Sequence, residues 1–413
     1  MFPISGCSIA INYDLPELQP LLLIPGGSLD GHGFYLPEGA DGLVTLATGQ
    51  TMLLACPGNN NGFNNTNIGL RTALATCISD TTFFVNLVSY NFSDFACKSY
   101  PFHTARYSGI TCYDGTKGHI EIGFEVESDF YKLIDVCFDN DLYITLYARS
   151  TIVSGILGNE TGLKRPNFRE DNFYPPGMPV NNLYTQITQN QTISNILGLQ
   201  PSGNNFINAT HFLSRGHLAA KADFVYDSQL RATFHFVNVA PQWQTFNGGN
   251  WEALESSVRA YADRKELDLV VYTGTYGVAT LPNVNGIETE LYLYVDSNNN
   301  KAIPVPKFYW KAVYDPKSQA GVVFVGINNP YVSDPQRDYR ICNDVCSRIS
   351  WVQWDQKNIT KGYSYCCEVD DFRSTVKTLP QFPVSGLLNN SSSLRLGQYC
   401  TLIVLMAGIL KFL

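Results

Sequence analysis

The stretches Phe212-Leu-Ser-Arg-Gly-His-Leu218 and Phe246-Asn-Gly-Gly-Asn-Trp251 decide the fold of this chain. An arginine and a histidine around one glycine are weak evidence alone, so the pattern around both stretches carries the argument. The residues from Trp251 to Lys265 have the apolar spacing of a helix. Three further segments are predicted as strands, which gives the order strand, loop, helix, strand: Ala222–Tyr226, Ala232–Val237 and Leu267–Tyr272.

Four more blocks accompany the two opening stretches: Asn238-Val-Ala-Pro-Gln242, Leu254-Glu255, Tyr272-Thr-Gly-Thr275 and Val305-Pro-Lys-Phe-Tyr-Trp-Lys311. With these blocks, the chain resembles the DNA/RNA non-specific endonuclease family from Arg165 to Lys311. Within that family it resembles the secreted arthropod nucleases that act on double-stranded nucleic acid. The resemblance implies an α+β fold, in which a ββα-metal nuclease core with a mixed or antiparallel sheet and helices follows a strand-rich, disulfide-bonded amino-terminal module.

The resemblance assigns the central chemistry to three residues. His217 matches the general base that takes a proton from the attacking water, a task suited to histidine because its pKa lies near neutrality. Asn247 matches the single protein ligand of a divalent ion. Arg215 matches an arginine that contacts the scissile phosphate through a planar set of donors. The alternatives are a structural core histidine for His217 and a helix cap for Asn247, with Asn250 as the better cap candidate.

Two charged residues match supporting positions of the family. Glu255 lies eight residues after Asn247, about 80° around an ideal helix, and is placed to orient waters around the ion. Its alternative role is an exposed pair with Arg259. Arg165 resembles a second phosphate-contacting arginine, with Arg169 as a rival for that role.

Two polar residues complete the expected site, and one residue departs from the family pattern. Asn238 is expected to brace the site by hydrogen bonds, with Gln242 as a weaker helper. Ser214 stands where family members often carry aspartate, so a carboxylate near the metal is missing. Since the base and the metal ligand are retained, we expect activity to survive, with metal preference and pH optimum left open.

The resemblance also implies the cofactor and the substrates. Mg²⁺ is the expected ion, with Mn²⁺ or another divalent ion as alternatives, because Mg²⁺ keeps several waters and takes few protein oxygens. DNA and RNA are expected to be cut to 5′-phosphate products through contacts to the phosphate backbone, which carries no sequence information. The net charge of −8 is unusual for such an enzyme, so binding is expected to depend on a few arginines and the metal.

Cysteines and glycosylation motifs indicate the secretory pathway. Ten of the eleven cysteines form two even clusters, Cys7 to Cys137 and Cys342 to Cys367, and we expect disulfides there rather than a metal site. The pairing stays open at this point. Eight Asn-x-Ser/Thr motifs are dense for a chain that does not meet the glycosylation machinery: Asn64, Asn91, Asn159, Asn190, Asn208, Asn358, Asn389 and Asn390.

The two ends of the chain carry different indications of location. No signal peptide is visible from Met1 to Gly27, and we favour a leader missing from this sequence. Small residues from Asn389, a polar spacer and an apolar tail from Tyr399 to Leu413 have the order of a lipid-anchor signal. The alternative is a plain disordered tail or a membrane-spanning one. We therefore expect a secreted or cell-surface protein; the oligomeric state is left open.

Composition divides the chain into three regions. Residues 1–150 are predicted as the strand-rich cysteine-containing module, residues 151–375 as the nuclease domain, and residues 376–413 as a linker with the hydrophobic tail. Outside the site, five histidines are expected to be structural: His32, His103, His119, His211 and His235.

Two rival functions come from other classes. One is an inactive cell-surface binding protein that keeps the nuclease fold, and the other is a metal-dependent phosphodiesterase acting on small phosphoesters. The joint presence of His217, Asn247, Arg215 and Glu255 speaks against the inactive protein.

Overall fold

The amino-terminal part builds a small sheet of its own. The computed structural model describes residues 6–27, 33–200 and 206–389. Strands β2, β4, β5, β6 and β7 form an antiparallel five-stranded sheet in that order, and β1 pairs with β3. Disulfides Cys7–Cys77 and Cys56–Cys97 close this region. Its described strands are β1 (Cys7–Ala10), β2 (Leu21–Leu23), β3 (Leu43–Leu46), β4 (Thr51–Ala55), β5 (Thr72–Ser79), β6 (Thr82–Val85) and β7 (Val88–Asn91).

Four long strands follow and start the main sheet of the protein. They are joined by tight turns, and the disulfide Cys112–Cys137 links the first to the third. All neighbours among them pair antiparallel. The elements are β8 (Thr104–Cys112), the short helix α1 (Tyr113–Thr116), β9 (Lys117–Val126), β10 (Asp129–Asp139) and β11 (Ile144–Ile152).

The middle of the chain carries the helices and a two-stranded ribbon. Strands β12 and β13 pair only with each other among the described strands, and the helical segment that follows β13 leads back into the main sheet at β14. The elements are α2 (Val180–Leu183), α3 (Gln186–Leu197), β12 (Leu213–His217), α4 (Asp227–Ala232), β13 (Val239–Trp243), α5 (Gln244–Phe246), a π-helical turn (Asn247–Trp251), α6 (Glu252–Lys265) and β14 (Leu269–Val278).

The carboxyl-terminal part completes the main sheet. Its order is β21-β20-β19-β14-β11-β10-β9-β8, with β22 added parallel to β20, and the other pairs are antiparallel. The elements are β15 (Thr280–Pro282), β16 (Glu288–Glu290), β17 (Tyr292–Val295), β18 (Lys301–Pro304), β19 (Pro306–Asp315), β20 (Ala320–Ile327), α7 (Pro335–Asp338), β21 (Ser364–Cys367), α8 (Val369–Thr375) and β22 (Gly386–Leu387).

The central strands are buried on both faces, which explains their nearly continuous apolar sequence. On β19, Tyr309 and Val313 belong to the core shared with the ribbon and α6, whereas Trp310 and Ala312 belong to a second core. Phe372 of α8 packs in that second core. The ribbon is thereby held on one face of a rigid sheet.

The main sheet crosses the predicted boundary between the first two regions. The boundary at residue 150 falls within β11, which pairs with β10 on one side and with β14 on the other. The strands from residue 104 to residue 152 therefore share a sheet with the strands that follow the ribbon. Alternating apolar and polar residues predict a strand but do not say which sheet it joins.

Most sequence expectations on secondary structure are confirmed, and two strands are corrected. The helix predicted from Trp251 to Lys265 and the strand predicted from Leu267 are present. The segment Ala222–Tyr226 instead begins in a short 3₁₀ turn, and Ala232–Val237 runs from the end of α4 into another 3₁₀ turn, with a single bridge between His235 and Arg169. Both segments lie in the core, so their apolar residues reflect burial rather than sheet pairing.

The expected disulfides are confirmed, and each cysteine cluster pairs internally. The carboxyl-terminal cluster forms Cys342–Cys367 and Cys346–Cys366. Cys400, His32 and the proposed anchor signal, apart from its first residue, Asn389, lie outside the described residues, so the anchor stays a prediction. Among the described helices, none combines the length and the apolar composition that a membrane-spanning helix needs.

Candidate active site

A ββα unit carries most of the predicted site residues. Strands β12 and β13 pair antiparallel with His217 opposite Val239 and Ser214 opposite Gln242. The chain then passes through α5 into the π-helical turn that starts at Asn247. Gly216 allows close packing here, because a side chain at this position would collide with Gln242 and with the hydroxyl of Tyr309.

Asn247 lies at the start of the turn and contacts the strand of His217. Its Nδ2 donates to the Ser214 hydroxyl at 3.1 Å. Asn247 is partly exposed, and its carboxamide oxygen makes no hydrogen bond with any residue in the described ranges. The predicted cap role is absent, since no side-chain cap bond is made at this turn.

Aromatic rings pack against the His217 imidazole. The rings of Phe168 and Phe234 lie 5.2 and 4.9 Å from the imidazole. Burial lowers the pKa of His217 to about 3, and the charges of Arg165 and Lys221 add to this shift. The ring is therefore neutral at neutral pH. Its Nε2 is buried and has no hydrogen-bond partner among the described residues. The other ring nitrogen, Nδ1, is not completely buried, so Nδ1 is the nitrogen available to a water molecule.

Arg215 is held in a fixed orientation beside the base. Its Nη2 donates to the backbone oxygen of Asn181 at 3.0 Å and to the Oδ1 of the same residue at 2.7 Å. The guanidinium lies 5.3 to 5.6 Å from the ring centres of Tyr184, Phe168 and Phe236. Its Nε is buried without a partner in the described part of the chain.

The two candidate phosphate arginines differ in their surroundings. Arg165 is exposed, and its charge acts on His217. Arg169 is engaged elsewhere, because it donates to the backbone oxygen of His103 at 3.1 Å and lies 3.5 Å from Asp171. The geometry therefore favours Arg165 over its rival.

Glu255 is half-buried next to two buried charges, Asp223 and Lys311. Burial raises the pKa of Glu255 to about 7, while the nearby Lys311 opposes this shift and Asp223 adds to it. Lys311 is almost completely buried, and its Nζ donates to the Thr273 hydroxyl at 2.7 Å. The alternative pairing of Glu255 with Arg259 is not found, since Arg259 bonds to Asp223 at 2.8 Å.

Asn238 braces the backbone that follows the base. Its Nδ2 donates to the backbone oxygens of Ala219 and Thr233, and its Oδ1 accepts the Ala219 N–H at 2.9 Å. All three bonds are internal and Asn238 is fully buried, so it positions the chain rather than touching a ligand. Gln242 is also fully buried, but neither polar atom of its carboxamide has a partner among the described groups, so the bracing bonds expected of Gln242 are not found there.

The histidines expected to be structural form contacts away from this ribbon face. His235 is fully buried between Asp171, at 2.6 Å from its Nδ1, and His103, at 2.8 Å from its Nε2. His119 lies 3.2 Å from Asp135, and His211 bonds to the adjacent threonine in a surface loop.

Asn250 ties the turn to a distant loop instead of capping the helix. Its Nδ2 donates to the backbone oxygens of Asp355 and Gly362 at 2.9 and 2.7 Å, and its Oδ1 accepts the Asp355 N–H at 2.9 Å. Helix α6 has no side-chain cap bond, so the cap expected of Asn250 is wrong. Because Gly249 packs against Lys361 of the same loop, the loop fixes the turn that carries Asn247.

Replacing Asn250 by alanine is expected to lower the free energy of unfolding by about 3 kcal/mol or more, because three hydrogen bonds of a buried side chain are lost. Urea unfolding measures the change. Asn300→Ala is the matched control, since that side chain lies in an exposed turn and its loss should cost less than about 1 kcal/mol. Equal costs for the two variants would contradict the bracing role.

The oxygen atom that Asn247 offers at the turn fits a hard divalent cation. The Asn247 carboxamide oxygen, on a partly exposed side chain and without a hydrogen-bond partner in the described ranges, suits Mg²⁺, which binds oxygen and keeps several waters. Among the described residues, one group of His, Cys, Asp or Glu side chains is compact enough to suggest a metal: Asp344, Cys346 and Cys366. Those two cysteines are joined in a disulfide, so their sulfurs are not free to bind an ion.

The sequence predicts no role for Asn181 or Lys311, and the role that it predicts for Asn250 is wrong. The observed roles of Asn181 and Asn250 have no local signal, because their partners lie far away along the chain. Lys311 did have a signal, since a lysine in the apolar run of β19 indicates a buried charge with a partner.

Comparison with known proteins gives one family. Residues 115–372 match the DNA/RNA non-specific endonucleases. A salivary endonuclease of Lutzomyia longipalpis is 30% identical over 373 residues, which cover 89% of this chain and 82% of the relative. Salivary protein Tsal2A of Glossina morsitans morsitans is 26% identical over 93% of this chain and 95% of its own length. A salivary endonuclease of Culex quinquefasciatus is 26% identical over 68% of this chain and 71% of its own.

Proposed function

This chain belongs to the DNA/RNA non-specific endonuclease family, and from that premise we propose that it hydrolyses DNA and RNA to 5′-phosphate products with Mg²⁺ as the preferred ion. His217 serves as the base, and Asn247 holds the ion. The observation that carries the proposal is the hydrogen bond from Asn247 to Ser214, because it ties the metal ligand to the strand of the base.

The surroundings of His217 suit a general base. Its ring is neutral at neutral pH in the free protein, and Nδ1 is the nitrogen open to water. A phosphate bound beside Arg165 would offset the positive charge there. The pKa of His217 would then rise toward the range in which a base takes up a proton efficiently.

Arg215 is ready to bind the scissile phosphate. Asn181 and three aromatic rings fix the guanidinium, so little conformational entropy is lost on binding. When bound at Asn247, the ion supplies stabilisation of the charge on the phosphoryl group and on the leaving 3′ oxygen. The role proposed for Glu255, on the first turn of α6, is to orient waters around the ion.

The distribution of charge supports cleavage without sequence preference. The cations at the site, Arg165, Arg215 and Lys221, suit phosphate oxygens, which carry no sequence information. The chain as a whole has a net charge of −8, so few phosphates are neutralised outside the site. Binding should therefore depend only modestly on salt.

Secretion is part of the proposal. Five disulfides join ten cysteines in the described chain, as expected in an oxidising compartment. None of the glycosylation motifs that fall within the described ranges has a buried asparagine. The relatives named salivary support the same location.

A gel assay tests the proposal. Purified protein is incubated with plasmid DNA and with RNA, in Mg²⁺ and in EDTA. We expect both polymers to be degraded in Mg²⁺, no cleavage in EDTA, and recovery when Mg²⁺ or Mn²⁺ is returned in excess. Binding of nucleic acid without cleavage would indicate the inactive binding protein, and hydrolysis of a small phosphodiester alone would indicate the second rival.

A further inference from the structure

The hydroxyl of Ser214 is shared between the ribbon and the turn. It donates to the backbone oxygen of Gln242 at 2.9 Å and accepts the Nδ2–H of Asn247 at 3.1 Å. A hydroxyl has one hydrogen, and Gln242 takes it. Only lone pairs are left toward Asn247. The atom that Asn247 turns toward Ser214 must therefore be its amide nitrogen.

This bond decides where the other end of the carboxamide points. With the nitrogen held by Ser214, the oxygen faces away, and it has no hydrogen-bond partner among the residues that the structure describes. Only the oxygen can bind Mg²⁺. A carboxamide turned by half a rotation would present N–H groups to the cation and repel it.

We propose that Ser214 is a positioning residue, which selects the orientation of the Asn247 carboxamide in which the oxygen faces the cation. The inference rests on the proposed function, since it requires a metal at Asn247. It also explains how the site tolerates its departure from the family pattern. A serine hydroxyl accepts the same N–H that an aspartate would accept, and it adds no charge.

Metal affinity tests the role directly, with Mn²⁺ as the probe. Free Mn²⁺ is measured by electron paramagnetic resonance in titrations of the full chain. Loss of an outer partner of a metal ligand typically weakens binding 10- to 100-fold, and we expect a loss of about this size for Ser214→Ala. Ser214→Thr keeps the hydroxyl and should bind as the wild type does.

Ser257→Ala is the matched control. The Ser257 hydroxyl donates to the backbone oxygen of Ala253 at 2.8 Å and accepts the Gln353 N–H at 3.0 Å, so the same two kinds of bond are lost away from Asn247. Its thermal midpoint should fall while Mn²⁺ affinity stays unchanged. An equal loss of affinity in both alanine variants would overturn the positioning role.

The same Ser214 substitution, made in a variant of Asn247, tests whether Ser214 acts by orienting the Asn247 carboxamide or only by stabilising the fold. In Asn247→Asp both terminal atoms are oxygens, so no orientation remains to be selected. Adding Ser214→Ala to this variant should change Mn²⁺ affinity by less than about twofold, the usual limit for independent sites. A loss as large as in the wild-type background would overturn the proposal.

The failure of the inference and the failure of the proposed function are distinguishable. If Asn247→Ala loses Mn²⁺ binding while Ser214→Ala binds as the wild type does, the orientation role is wrong and the metal ligand stands. If Asn247→Ala binds Mn²⁺ as tightly as the wild type, the metal assignment is wrong, and the role of Ser214 fails with it.

Discussion

Replacing His217 by alanine is expected to slow phosphodiester cleavage by about 10²- to 10⁴-fold, the usual contribution of a general base. The imidazole is neutral at neutral pH in the free protein, and it can accept a proton from water once a bound phosphate raises its pKa. Cleavage of a labelled duplex, measured under single-turnover conditions in saturating Mg²⁺, gives the change in rate.

The control for this variant is His211→Ala. That histidine lies in a surface loop beside Thr210, so its loss should leave the cleavage rate unchanged. Both variants should unfold cooperatively. A rate for His217→Ala within a few-fold of the wild type would refute the assigned base, provided that the variant is folded.

The pH dependence of stability provides an independent check on His217. Its pKa in the folded protein lies below the ordinary value of 6.5, so the folded state favours the neutral ring. The resulting stability is fully present above pH 6.5 and is lost as the pH falls toward 3. His217→Ala should therefore lose less stability on acidification than the wild type does.

Replacing Arg215 by lysine is expected to lower kcat/KM by about 10²- to 10³-fold, as when a donor to developing charge is removed. A lysine cannot keep the bonds to Asn181 and the contacts to the three rings while donating to a phosphate, because its ammonium is a compact point charge. Steady-state kinetics on the same duplex measure the effect.

Arg231→Lys is the matched control for that change. Arg231 pairs with Asp227 at 2.8 Å and lies 3.5 Å from the ring centre of Tyr100, so it shares both kinds of contact outside the site. Its replacement should leave kcat/KM near the wild-type value. Comparable activity in the two variants would mean that Arg215 does not contact the reacting phosphate.

The sequence predicted those features that depend on residues close together along the chain. The helix after the Gly248-Gly249 pair, the strand after that helix and the disulfide character of both cysteine clusters follow from periodicity and composition, and they are confirmed. The family blocks also indicated His217 and Asn247, which lie on a strand and at the start of a helical segment as expected.

The remaining features depend on contacts between distant parts of the chain. The bonds of Asn250 reach a loop more than a hundred residues away, so its local position suggested a cap instead. The angle calculated between Asn247 and Glu255 assumed an ideal helix, but Gly248 and Gly249 are not helical. Sheet membership likewise depends on pairing, and for that reason β11 crosses the predicted boundary at residue 150.

The most direct test is the position of Mn²⁺ in crystals, located by its anomalous scattering. The account predicts one ion at about 2.1 Å from the Asn247 carboxamide oxygen, the usual distance for such an oxygen ligand, with a water between the ion and Nδ1 of His217. An ion bound elsewhere, with the Asn247 oxygen turned toward Ser214, would contradict it.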